Sequence, residues 1–241
     1  IGDKYYKEWE RYALPTWKQY CSNNNLGLVV FVKDLIDKKH EKWKKPTWQK
    51  LLIGEALKKS KHNVNNVCYL DSDIIINPLA PNIFDFHSSK LISVVSQVTN
   101  IPYPNDDVLR RIAFFRHNYY DTSYPLDSAL FMTPQQIYHY HKLEEQKDYF
   151  CAGLLVFNVL EYHSIMKEWF MKYSRDVSTI TGGGDEPIMN FEVQNYGKVN
   201  WLEYKFQSLW LYEIAWKYPF LYQNHGFDNG IIKQCVEASL F

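Results

Sequence analysis

The residues whose types and spacing most directly suggest chemistry are Asp71-Ser72-Asp73. Residues i and i+2 of an extended chain point to the same side. Two carboxylates placed this way can converge on one hard cation, Mg2+ or Mn2+, which takes oxygen ligands and bridges to phosphates. The triplet alone is a weak signal, because 14 aspartates produce about one such spacing by chance. Its flanks give it weight. The apolar stretch Val67-Cys68-Tyr69-Leu70 leads into it, and Ile74-Ile75-Ile76 follows. The bland alternative is a solvated turn, for which two apolar flanks are unusual. A second acidic pair, Asp185-Glu186, stands between Gly182-Gly183-Gly184 and Pro187. Carboxylates at a helix start commonly cap it and meet the positive end of its dipole. The glycines would also allow close backbone approach to a ligand.

Something must carry these groups to one place. Residues 66–70 predict a short strand ending at Asp71, and ligands of open α/β sheets gather at the carboxyl ends of strands. Residues 91–95, 150–157, 199–202 and 220–223 are further strand candidates, and residues 26–32 (LGLVVFV) read as a strand buried on both faces. Helices are expected over 5–25, divided at Pro15, over 46–59 opening at Pro46, and over 107–119, 160–174, 185–196 and 230–240. Residues 34–45 read as a solvated, basic loop. Strands alternating with helices predict an α/β domain. No first strand precedes Ile1-Gly2-Asp3, so one is expected upstream.

The length of 241 residues suits one domain with a sizeable core. Lys+Arg and Asp+Glu are both 27, a balance that argues against a nucleic-acid binder. No apolar run approaches the length of a membrane span, and no targeting leader is expected. Cys21, Cys68, Cys151 and Cys235 form no CxxC pair, and Cys68 and Cys151 sit in apolar runs as buried thiols would. A reducing, cytoplasmic setting fits. The Asn, Lys, Ile and Tyr content fits an AT-rich genome, bacterial or viral. Tyr 19 and Trp 8 provide flat apolar faces with polar tips.

Several blocks resemble GT-A glycosyltransferases. Trp48-Gln49-Lys50 with its helix, followed by VCYLDSDIIINPLAPNIFDF, is similar to their central block. Tyr149-Phe150-Cys151-Ala152-Gly153-Leu154-Leu155-Val156-Phe157-Asn158 resembles the "yFNaGvlliN" strand of the glycogenin-like and bacterial galactosyltransferase branch, with Cys151 in place of Asn or Asp. Gly184-Asp185-Glu186-Pro187-Ile188-Met189-Asn190 resembles its "DQdaLN" helix start. Asn224-His225-Gly226, with Gly230 and Lys233, resembles the C-terminal histidine block. Gly2-Asp3-Lys4-Tyr5-Tyr6 with Leu14-Pro15-Thr16-Trp17 resembles the start of galactosyl- and xylosyltransferase relatives.

The resemblance implies a single GT-A (Rossmann-like) domain with a mostly parallel central sheet flanked by helices. It also implies transfer of a hexose or pentose from a UDP-sugar to a hydroxyl of a glycan or glycoconjugate, with retention favoured. Asp71, Asp73 and His225 would hold Mn2+ or Mg2+. Gly2, Asp3 and Tyr6 would lie near the base and ribose, and Lys50 and Lys233 near phosphate or sugar. Ser72 and Gly230 belong to the same donor-binding blocks. Ala152 and Gly153 would leave room for the sugar. Asp185 would contact a sugar hydroxyl, and Asp185 or Glu186 would act near the anomeric carbon. An inverting enzyme would need one of these carboxylates as base, whereas retention would not. The donor motifs occupy 1–98 and 149–241. By elimination, residues 99–148 form the acceptor side, with Tyr103, Arg110, Arg111, His117, Tyr119 and Tyr120 as contacts.

Two other readings compete. Haloacid-dehalogenase-like phosphatases also follow a strand with D-x-D, but their nucleophile lies near the chain start and is followed by Thr or Val, whereas Asp71 lies deep in this chain and Ile74 follows the triplet. A non-catalytic sugar-binding module would account for the aromatic content alone.

Overall fold

The computed structural model describes residues 3–60, 62–104, 106–107, 110, 133–175 and 184–217. The expected strand at 220–223, the expected helix at 230–240 and most of the expected helix at 107–119 lie outside them.

The chain begins with α1 (Asp3–Glu8), a wide π turn (Trp9–Ala13) and α2 (Leu14–Asn23). The widening has a local cause. Pro15 has no N–H to offer Arg11, and the Leu14 N–H reaches back five residues to the Trp9 carbonyl. Trp9, Ala13, Trp17 and Tyr20 form the buried stripe. Pro46 opens a 3-10 helix (Pro46–Leu52) that passes into α3 (Ile53–Lys59). Strand β1 is Asn66–Leu70 and β2 is Ile92–Val95. Helix α4 (Pro134–Tyr140) was not expected from the sequence. Thr133 caps it, with its Oγ1 accepting from Gln136 N at 3.3 Å and its own N–H bonding Gln136 Oε1 at 2.8 Å.

Strand β3 (Leu154–Asn158) runs straight into α5 (Val159–Lys172), where Asn158 caps the helix by accepting from Glu161 N at 3.1 Å. Then come α6 (Glu186–Tyr196), closed by Gly197 at φ 76°, β4 (Val199–Leu202) and α7 (Trp210–Lys217).

These strands form one sheet in the order β1-β3-β2-β4, a mixed sheet in an α/β domain. Strands β1, β2 and β4 run one way, and β3 runs against them between β1 and β2. Among the described residues one of the three pairings, β2–β4, is parallel and two are antiparallel, so the sheet expected to be mostly parallel is mixed there. A strand buried on both faces reads as one apolar run whichever way it points, so its direction was not legible. The faces do separate by alternation. Leu155 and Phe157 join the core against α3 and α5, while Leu154 and Val156 join a second core with Ile83, Val95 and Leu202.

Two expectations fail here. Residues 26–32 form no strand, and Val29, Val30, Phe31 and Val32 are exposed while Leu28 packs against the Trp9–Trp17 cluster. An apolar run says nothing about which sheet edge is available to receive it. The 34–45 loop is not solvated throughout. Lys44 is 1% exposed, donates to Lys42 O (3.0 Å) and Phe170 O (2.8 Å), and lies 3.8 Å from the Phe170 ring centroid. Phe170 is in the last turn of α5, where the helix dipole favours a cation.

Candidate functional site

Asp71 leaves the end of β1, and its N–H continues the β1–β3 ladder by donating to Gly153 O at 2.8 Å. Two residues earlier on the same side, the Tyr69 hydroxyl donates to Asp71 Oδ1. Burial, then the charge of Asp71, pushes the Tyr69 phenol far up, which keeps it a proton donor. Lys50 arrives from the 3-10 helix and is only 3% exposed. Its Nζ donates to Ala152 O at 2.6 Å, pairs with Asp185 Oδ2 at 3.0 Å and stands 3.7 Å from Asp71 Oδ1. It also lies 5.0 Å from the Tyr69 ring centroid. Burial works against this cation, but Asp185 and Asp71 outweigh it and hold its pKa above the ordinary value. One ammonium thus joins the end of β1, the turn before β3 and the start of α6.

Asp185 is the N-cap residue of α6 and Glu186 its first residue. Burial pushes the Asp185 carboxyl up, with Lys50 pulling it back. Glu186 Oε2 accepts from Ala152 N at 3.1 Å. Burial, partly offset by that bond, and then the charge of Asp185 bring Glu186 to about 7. Gly153 is closely approached by two side-chain ends: a Cβ there would sit 2.9 Å from the Gln207 amide and 3.3 Å from Asp71 Oδ2. Oriented to satisfy both neighbours, that amide donates to Cys151 O (3.1 Å) and accepts from Leu154 N (3.2 Å).

Asp73 is exposed, and partial desolvation and then the Asp71 charge push its carboxyl up. Ser72 is half-buried between the two aspartates. The segment that follows is strapped to α2. Trp17 Nε1 donates to Ile74 O (2.8 Å), Ile76 N to Thr16 Oγ1 (3.1 Å), and Tyr20 OH to Pro81 O (3.0 Å). The helix therefore positions the chain immediately after the aspartates. Asp71 and Asp73 offer carboxylate oxygens, a donor set that suits Mn2+ or Mg2+. Among the described residues no group of three His, Cys, Asp or Glu side chains is arranged to hold a metal ion.

The structure brings together Lys50, Asp71, Ala152, Gly153, Asp185 and Glu186. Tyr6 is 41% exposed on α1, its ring 5.7 Å from that of Trp9, and Asp3 opens the same helix. Tyr103 donates to Glu213, and its ring packs on Tyr204 and Trp216. Gly2, Arg111, His117, Tyr119, Tyr120, His225, Gly230 and Lys233 lie outside the described residues. Cys21, Cys68 and Cys151 are free thiols, and burial raises Cys68 to about 12 and Cys151 further. Sequence reasoning missed Tyr69 and Gln207. Tyr69 shares a strand face with Asp71 and could have been found from its i, i−2 position, whereas nothing local marks Gln207. Among the described residues no helix is long and apolar enough to cross a membrane.

Compared with protein-family models, with curated proteins and with solved structures, the chain matches none.

Proposed function

We propose that the chain is a metal-dependent glycosyltransferase that moves a hexose or pentose from a UDP-sugar to a hydroxyl of a glycan or glycoconjugate, in a cytoplasmic setting. The observation that carries this reading is the buried Lys50, which ties Asp71 at the end of β1 to Asp185 at the start of α6. A surface turn with two aspartates has no use for a buried lysine.

Asp71 and Asp73, with His225, would hold Mn2+ or Mg2+, which supplies positive charge to a leaving diphosphate. The other roles belong to the chain. Lys50 fixes Asp185, which would accept a hydrogen bond from a donor-sugar hydroxyl. In the reaction the bond from the anomeric carbon to the diphosphate oxygen breaks, with its electron pair going to that oxygen. The acceptor oxygen bonds to the anomeric carbon and loses its proton. Retention sends that proton to the leaving phosphate. Inversion sends it to Glu186, whose pKa of about 7 suits a group that exchanges a proton at neutral pH.

A donor screen with Mn2+, reading release of nucleoside diphosphate, tests the reading. Asp73→Ala is expected to abolish metal-dependent UDP binding while the fold persists. Unchanged UDP–Mn2+ affinity by calorimetry would remove Asp73 from the site. Binding without any turnover would favour the sugar-binding module.

A further inference from the structure

Helix α6 presents three polar side chains on one face, Glu186, Asn190 and Gln194, spaced four residues apart. Opposite them runs the extended segment that leads into β3. On the sheet side, Tyr149 O accepts from Gln97 N at 2.8 Å, next to the bridge between Ser96 and Phe150. The backbone groups of the segment's even residues meet the helix. Gln194 Nε2 donates to Asp148 O (2.7 Å), and its Oε1 accepts from Asp148 N (3.3 Å). Asn190 Nδ2 donates to Phe150 O (2.8 Å), and its Oδ1 accepts from Phe150 N (2.7 Å). Glu186 Oε2 accepts from Ala152 N (3.1 Å). The spacings agree, since four helical residues rise about 6.0 Å and two extended residues about 6.6 Å. The helix face therefore stands in for a neighbouring strand, with side-chain amides in place of backbone ones.

The third rung differs from the first two. A carboxylate accepts but cannot donate, and the donor for Ala152 O comes instead from Lys50, at 2.6 Å. The amide ladder ends where the acid–lysine cluster begins.

We infer that Asn190 and Gln194 are positioning residues that set the level of α6 along residues 148–152 and so place Glu186 and Asp185 for glycosyl transfer. This rests on the glycosyltransferase reading. The ladder also reaches the acceptor side. Asp148, whose backbone makes the far rung, accepts from Ser96 Oγ (2.7 Å) and Thr99 Oγ1 (2.5 Å), joining the two ends of the 99–148 segment. Among the described residues the titratable groups around Glu186 are Asp185, Lys50, Tyr149, Cys151, Tyr138 and Tyr212. Neither amide touches the reacting atoms, so their effect must pass through Glu186.

The test uses the full chain with Asn190→Ala and Gln194→Met, both neutral. Two quantities are read: the titration of the Glu186 carboxyl by carbon-13 NMR, and the kinetics of UDP-sugar hydrolysis with Mn2+. Each variant is expected to move the Glu186 midpoint by about half a pH unit or more, and to lower kcat about tenfold with KM little changed, as for a small misplacement of reacting groups. Should Asn190→Ala fail to fold, the partly exposed Gln194→Met decides. An unmoved midpoint in a folded variant, with kcat within about twofold of wild type, overturns the inference. If the wild type hydrolyses no donor, the glycosyltransferase reading fails, and the titration still decides whether the ladder positions Glu186.

Discussion

Replacing Lys50 with methionine removes one buried charge and leaves its partners in place. Lys50 and Asp185 are 3% and 5% exposed, so water cannot take over the role of the lysine. Breaking a buried ion pair from one side costs about 3–5 kcal/mol, because the remaining charge is uncompensated. The Ala152 carbonyl also loses its 2.6 Å donor, which adds about 1–3 kcal/mol if nothing replaces it. Against a typical domain stability of about 5–15 kcal/mol, the variant loses a large share. The penalty carries a pH signature. Without its counter-charge, the Asp185 carboxyl rises further above the unfolded value, so folding binds a proton and the variant gains stability as pH falls. The gap between Lys50→Met and wild type should therefore narrow from pH 7 toward pH 5. Adding Asp185→Asn removes the orphaned charge and should recover about half of the loss. Urea denaturation of the three proteins at several pH values measures all of this. A single-variant cost below about 1 kcal/mol, or a gap that widens on acidification, would refute the assignment of Lys50 as the buried counter-ion of the site.

Gly153→Ala is expected to cost about 1–3 kcal/mol, because the added Cβ would lie 2.9 Å from the bonded Gln207 amide and 3.3 Å from Asp71 Oδ2. It should also weaken UDP–Mn2+ binding in calorimetry, and a neutral effect on both would refute that close approach. Lys44→Met tests the second buried lysine. Burial, then Lys42, lowers Lys44 to about 8, below its unfolded value, so the unfolded chain holds more protons between the two. Wild-type stability should accordingly rise relative to the variant from about pH 8 to about pH 10.5, and parallel pH–stability curves would count against that burial.

The amino-acid pattern by itself determined part of the local structure. Residues 66–70 and 199–202 matched their strands, and Pro46 and Pro15 marked a helix start and a helix distortion, because these features depend on neighbours along the chain. The place of the acidic triplet just after β1 was legible in the same way, but Asp71-Ser72-Asp73 lies in a turn in which Ile74 N donates to Asp71 O at 3.3 Å, so the extended spacing expected of it does not set the direction of Asp73. Tertiary structure decided what depends on distant partners. The direction of β3, the exposure of residues 29–32 and the burial of Lys44 against Phe170 had no local signal. The sequence placed Lys50 on a helix with even claims to solvent and to ligand. Only the approach of Ala152 and Asp185, 102 and 135 residues later, turned it into a buried counter-ion. Glu186, Asn190 and Gln194 recur at a period of four, a spacing that the sequence reading did not single out. Its meaning came from an extended segment whose free backbone groups repeat at nearly the same distance, and two periods match only once the fold sets them side by side.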